Sequence, residues 1–120
     1  MSETCEVIDR EQIEMLRSLD DGEGAVLAEI IHEFLATSGP GRDRLLQGFG
    51  EGDSDVLGRA AHTLKGASAN VGATALADVC AELEMQARAA QFEGAHALVE
   101  RFEVEFARAT TALQSELSRT

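Results

Sequence analysis

Tryptophan and tyrosine are absent from these 120 residues, proline and lysine occur once each, and cysteine occurs twice. Each scarcity removes something. With one proline, and with Ala, Leu, Glu and Arg dominating, composition favours helix. Cys5 and Cys80 do not make a disulfide framework, so a reducing compartment, the cytoplasm, is expected. No apolar run approaches the ~20 residues that cross a bilayer. The opening Met1-Ser2-Glu3-Thr4 is acidic where a signal region is basic. Only 10 Lys and Arg stand against 22 Asp and Glu, a net charge of −12, which argues against nucleic acid and anionic membrane surfaces as partners. No aromatic-rich or leucine-rich patch marks a dimer face, and a monomer is expected. What is present, 44% apolar residues in a chain of one domain's length, suffices for a real core. Residues 1–120 read as a single domain, with 1–7 a flexible N-terminal segment.

Glycine supplies the punctuation. Breaks fall at Asp20-Asp21-Gly22, Gly39-Pro40-Gly41, Gly48 to Asp53, Asn70-Val71-Gly72 and Gln91 to Gly94. Between them the apolar period is helical. Asp9 with Gln12 resembles a capping box opening a short helix to about Leu19. Val26, Leu27, Ile30, Ile31, Phe34 and Leu35 form one stripe. Leu45, Leu46 and Phe49 continue it beyond Pro40, as one helix kinked at Gly39-Pro40-Gly41 or as two stacked pieces. Asp53 can cap the next helix, to about Asn70. Leu76, Val79, Cys80, Leu83 and Ala87 mark the following one, and Leu98 to Leu117 the last. Short breaks between amphipathic helices make antiparallel neighbours. The expected fold is all-α: an up-down antiparallel four-helix bundle with a short additional N-terminal helix. A tight hairpin at Val71-Gly72 should join the third and fourth principal segments.

One stretch departs from the acidic background. No Asp or Glu occurs from Val56 to Ala77, and inside this window Arg59, His62 and Lys65 are spaced three apart, on one helix face. His62 lies about 200° around the helix from Leu64 and faces outward. Gly58 and Gly66 stand one turn before and after it. Each interior glycine costs ~1 kcal/mol against Ala. Two such costs around one exposed histidine make sense if a bulky partner or a phosphoryl group must reach the ring. A neutral-to-positive patch in so acidic a chain is suited to phosphate.

The run Ala61-His62-Thr63-Leu64-Lys65-Gly66-Ala67-Ser68-Ala69-Asn70-Val71-Gly72 resembles the signature of histidine-containing phosphotransfer (HPt) domains, and the likeness continues through Leu76, Cys80, Leu83 and Glu84. The resemblance implies that His62 carries a phosphoryl group, that Lys65 contacts it, and that Gly66 leaves room for it. The position of Glu84 often holds a polar residue that hydrogen-bonds the imidazole. The implied activity is that of a phosphocarrier without kinase activity of its own, accepting from one receiver-domain aspartate and passing to another. Its partners would be response-regulator receiver domains and a hybrid sensor histidine kinase.

The chemistry of the residues agrees. Histidine attacks phosphorus through a neutral ring nitrogen, and a carboxylate accepting from Nδ1–H fixes that tautomer and aims Nε2 outward. A hairpin at Val71-Gly72 brings Glu84 level with His62, which makes it the candidate orienter. No P-loop or kinase nucleotide motif occurs, and no carboxylate cluster near His62 could hold Mg²⁺. No intrinsic cofactor or metal is expected; Mg²⁺ and the aspartate would come from the partner. The recognition surface should surround His62 and comprise Arg59, Thr63, Lys65, Gly66, Ala69 and Asn70, in a small interface.

Two other readings compete. Glu29-x-x-His32 and Glu93-x-x-His96 could suggest a metal-carboxylate bundle. However, Val56 to Asn70 supplies no Glu, Glu29 and His32 lie off the apolar stripe, and Glu93 sits at a helix start. A non-catalytic adaptor bundle is the other; degenerate modules of that kind lack the histidine, whereas His62, Lys65 and Gly66 are all present. Cys80 and Phe102 read as core.

Overall fold

In the computed structural model, which describes residues 8–20 and 24–118, every regular element is helical. The elements are α1 (Arg10–Arg17), followed by a 3₁₀ turn (Ser18–Asp20), α2 (Ala25–Glu51), α3 (Ser54–Asn70), α4 (Thr74–Arg88) and α5 (Ala95–Ser118). The segment 1–7, expected to be flexible, lies outside the described residues, as do Cys5 and the 21–23 part of the acidic turn.

Asp9 caps α1, its carboxylate accepting from the backbone N–H of Glu11 and Gln12. Only half of the expected capping box forms. Gln12 does not reach back; its amide donates to the carbonyls of Ala69 and Asn70 at 2.8 and 3.0 Å. The Asp9 N–H donates to Gly72 O at 2.6 Å. So α1 is tied to the end of α3 and the turn after it through the carbonyls of Ala69, Asn70 and Gly72. Its other anchor is α5: Arg10 and Arg17 reach buried Glu116 at 2.6 and 2.8 Å.

The Gly39-Pro40-Gly41 break is not a break. α2 runs through it as one helix of 27 residues, which removes the alternative of two stacked pieces. Pro40 takes away one helical donor, but Pro40 and Ala36, whose carbonyl loses that partner, are both exposed, and water can replace the donor. Gly41 has a different task. A Cβ there would lie 3.0 Å from Leu64 Cδ2, and one at Gly48 would lie 2.7 Å from the backbone nitrogen of Leu57. Both glycines let α2 and α3 approach closely. Gly52 then ends α2 in the left-handed conformation, φ 67°, donating to the carbonyls of Gly48 and Phe49. Asp53 caps α3 immediately afterwards, accepting from Val56 N–H.

α3 packs against both α2 and α4, and α5 packs against α4 and α2. The core between them takes Leu27, Ile31, Phe34, Leu57, Leu64, Leu83, Phe102 and Leu113, all buried as the stripes require. Each such side chain contributes about 1.5–3 kcal/mol by leaving water. Cys80 belongs to this core, and burial pushes its thiol up to about 12, which leaves it protonated and inert at neutral pH. A bidentate Arg42–Glu103 pair, at 2.7 and 2.8 Å, ties α2 to α5 at the surface. No described helix is long and apolar enough to cross a membrane.

Candidate functional site

His62 sits mid-way along α3 with its side chain 63% exposed, on the side of the helix away from Leu57, Ala61 and Leu64. The tight Val71–Ala73 turn sends the chain back as α4, and Glu84 arrives beside the ring. Its Oε2 lies 2.9 Å from His62 Nδ1. With Nδ1–H donating to that oxygen, Nε2 carries the free lone pair and points to solvent.

Glu84 does more than face the imidazole. Its side chain is only 7% exposed, and both oxygens are used. Oε1 accepts from Lys65 Nζ at 2.9 Å, while Oε2 accepts from Arg88 Nη2 at 2.5 Å as well as from the imidazole. Chiefly Arg88, then Lys65 and His62, hold this carboxyl well below the usual carboxylate range, at about 2, against the opposing effect of desolvation. At neutral pH it is an ionised acceptor that does not take the ring's proton.

The two glycines beside His62 divide. Gly66 is exposed, and a Cβ there would meet nothing within 4 Å, so the space beside the ring is open. At Gly58 a Cβ would come 3.3 Å from Ala87 Cβ, so that glycine serves the packing of α3 on α4. Gly58 also lines the cleft beside His62, so its packing role adds to the room it leaves at the ring.

Of the expected recognition residues, Arg59, His62 and Thr63 line one open cleft of ≈ 550 Å³ together with Gly58, Ala87 and Arg88. Arg59 is paired with Asp55, one turn back at 3.3 Å, just outside the acid-free window. Asn70 lies elsewhere, in a groove of ≈ 470 Å³ between α2 and α3 with Glu29, Glu33 and Phe34. Ala69 and Asn70 keep exposed side chains while their carbonyls are taken by Gln12. Arg59 and Thr63 thus share a cleft with His62, while Asn70 lines a separate groove. Lys65, expected to meet a phosphoryl group, is paired here with Glu84.

Sequence reasoning missed Arg88. Its signal was available: a basic residue in the last turn of α4, four after Glu84, is the ordinary pairing geometry of a helix. The two Glu-x-x-His motifs stay outside this site. Glu29, His32 and Glu93 are exposed, and His96 stacks on Phe49 with ring centroids 5.4 Å apart. Among the described residues no three His, Cys, Asp or Glu side chains converge as a metal site.

Fold and site together define a helical module built around one exposed imidazole oriented by a buried carboxylate. A family model for the Hpt domain matches residues 29–119. The chain belongs to the histidine-containing phosphotransfer family, and its function is in phosphorelay. The crystal structure of histidine-containing phosphotransfer protein B (HptB) from Pseudomonas aeruginosa PAO1 is similar over 98% of this chain and 99% of that one, with 31% identity and a TM-score of 0.85. Histidine-containing phosphotransfer protein MtHPt2 from Medicago truncatula shares the fold, covering 94% of this chain and 82% of its own, with 21% identity and a TM-score of 0.74. No curated protein matches.

Proposed function

We propose that His62 accepts a phosphoryl group from the aspartyl phosphate of one receiver domain and passes it to an aspartate of another. The single observation that carries this is the 2.9 Å contact between His62 Nδ1 and Glu84 Oε2 beneath an otherwise exposed ring. In the forward step the Nε2 lone pair attacks phosphorus, the N–P bond forms, the P–O bond to the donor breaks, and the donor leaves as a carboxylate. Nδ1 keeps its proton throughout, shared with Glu84. The return step reverses these events on the second receiver. Gly66 leaves the approach to Nε2 open, and Lys65, one turn along α3, is the cation that meets the phosphoryl oxygens.

The protein supplies a nucleophile and its alignment, and acts as a phosphocarrier with no kinase activity of its own. Mg²⁺ and the in-line geometry come from the receiver. A hybrid sensor histidine kinase is the source of the phosphoryl group, and the carrier works as a cytoplasmic monomer of one domain. The recognition face centres on the cleft that Arg59, His62 and Thr63 share, with Lys65 and Gly66 at its edge and Ala69 and Asn70 at its periphery.

An up-down order of the four long helices is part of this reading. Gly41 and Gly48 of α2 meet Leu64 and Leu57 of α3, and Gly58 and His62 of α3 meet Ala87 and Glu84 of α4. Arg42 and Phe49 of α2 meet Glu103 and His96 of α5. All three registers run in opposite directions.

Transfer from a panel of phosphorylated receiver domains tests the proposal. Acid-labile label on the wild type and none on His62→Gln supports it. Label that survives in His62→Gln places the acceptor elsewhere and ends the proposal.

A further inference from the structure

Lys65 has two claims on it. In this structure it is bound to Glu84 Oε1, yet a phosphoryl group on His62 would need it one turn away. Glu84 cannot simply be abandoned. Its side chain is 7% exposed, and a buried carboxylate stripped of its cations is strongly unfavourable.

The other oxygen resolves the conflict. Arg88 binds Oε2, and it stands on Glu84's own helix, four residues on, so it stays with that carboxylate however α3 and its ligand adjust. Lys65 stands on the same helix as His62, three residues on. Lysine is a compact charge on a flexible stem, suited to moving, whereas the arginine fork is suited to staying. Among the described residues no other cation near the ring is placed for the task. The cleft beside His62 is lined from α3 and α4 only, and Arg59 in that lining is paired with Asp55.

We propose that Arg88 is a positioning residue: it keeps Glu84 compensated and aimed at Nδ1 while Lys65 leaves that carboxylate for the phosphoryl group on His62. This rests on the reading of His62 as the acceptor. A phosphoryl group adds nearly two negative charges beside the buried carboxylate. With two cations present, each anion has one. Without Arg88, Lys65 must serve both, and the carboxylate competes directly with the phosphoryl group.

The test is a suppression experiment with a phosphorylated receiver as donor. Arg88→Gln should lower phosphoryl uptake roughly fivefold, a loss in the range of coupled neighbours, and Arg88→Lys should restore most of it. In a Glu84→Gln background the same Arg88→Gln change should cost nothing further, because a neutral amide no longer holds Lys65. In the free protein, Arg88→Gln should also raise the titration of the Glu84 carboxyl, read by carbon NMR, from about 2 towards the ordinary range. Uptake by Arg88→Gln equal to wild type overturns the proposal. So does an undiminished loss in the Glu84→Gln background, since Arg88 would then act directly on the phosphoryl group or the donor. Wild type that takes no label would sink the acceptor reading itself, and this inference with it. A labelled wild type with an unaffected Arg88→Gln variant removes only the inference.

Discussion

Two glutamates, Glu84 and Glu116, are the buried carboxylates among the described residues, at 5% and 2% exposure. Both accept from cations on neighbouring helices. Glu116, near the end of α5, takes Arg10 and Arg17 and thereby fastens α1 to the bundle. Glu84, on α4, takes Lys65, Arg88 and the His62 ring. The chemistry of the two acceptors is alike; what differs is what they hold. At Glu116 two permanently charged guanidiniums lock an acid between helices, and nothing in the cluster can become a nucleophile. At Glu84 one partner is a neutral ring whose second nitrogen faces open space beside a glycine without neighbours. A buried carboxylate is thus a structural staple or part of a reactive site according to the residues it aims.

The sharpest way to break this comparison is to remove the head of each cluster. His62→Gln should abolish phosphoryl uptake and leave stability within about 0.5 kcal/mol, as for an exposed side chain; a denaturant melt beside the transfer assay reads both. Glu116→Ala should do the reverse. Removing one partner of a buried ion cluster costs about 3–5 kcal/mol, and Arg10 and Arg17, 40% and 20% exposed, recover part of their solvation. A loss of about 2 kcal/mol is therefore expected, with uptake by the folded fraction unchanged. If Glu116→Ala reduced uptake at full folding, the division between staple and site would fail.

Most of the chain was legible because its signals are local. The helical stripes, the Asp53 cap and the histidine motif each lie within one segment. Glu84 could also be found, since a short hairpin fixes which residue returns beside His62. Three things escaped, each decided by a partner distant in sequence. Gln12 looked like half of a capping box until the end of α3 proved to be its acceptor. Gly39-Pro40-Gly41 looked like an interruption, but Pro40 faces solvent and Gly41 is needed where α2 meets Leu64. Lys65 looked free for phosphate because its window has no acid, and the acid comes from α4.

The charge of Glu84 offers a second way to sharpen the contrast. Its folded-state titration is depressed to about 2, against roughly 4.3 for a free glutamate. A depressed carboxyl contributes stability above the unfolded value and loses it as pH falls through the folded one. Wild type should therefore shed stability between about pH 5 and pH 2. Lys65 and Arg88 are 39% and 72% exposed, so screening reduces the contribution to about 1–2 kcal/mol. Glu84→Gln should flatten that part of the pH–stability curve. An unchanged acid limb would mean that the cations around Glu84 do not stabilise its ionised form.

A smaller loss of phosphoryl uptake than at His62 is expected at the glycines, which separate access from packing. Gly66 is helical and exposed, with nothing within 4 Å of a Cβ built there. Gly66→Ala should stabilise the fold by up to about 1 kcal/mol, because helix formation favours alanine. Gly66→Leu should remain about as stable as wild type yet lose phosphoryl uptake roughly tenfold, since its branched end enters the approach to Nε2. Gly48→Ala supplies the counterexample: its Cβ would sit 2.7 Å from the Leu57 backbone nitrogen, and it should destabilise by about 1–3 kcal/mol through overpacking. The assay needed is a melt and a transfer time course on each variant. Were Gly66→Leu to take up label at the wild-type rate, the open space beside His62 would have no part in transfer, and Gly66 would be a tolerated helix glycine.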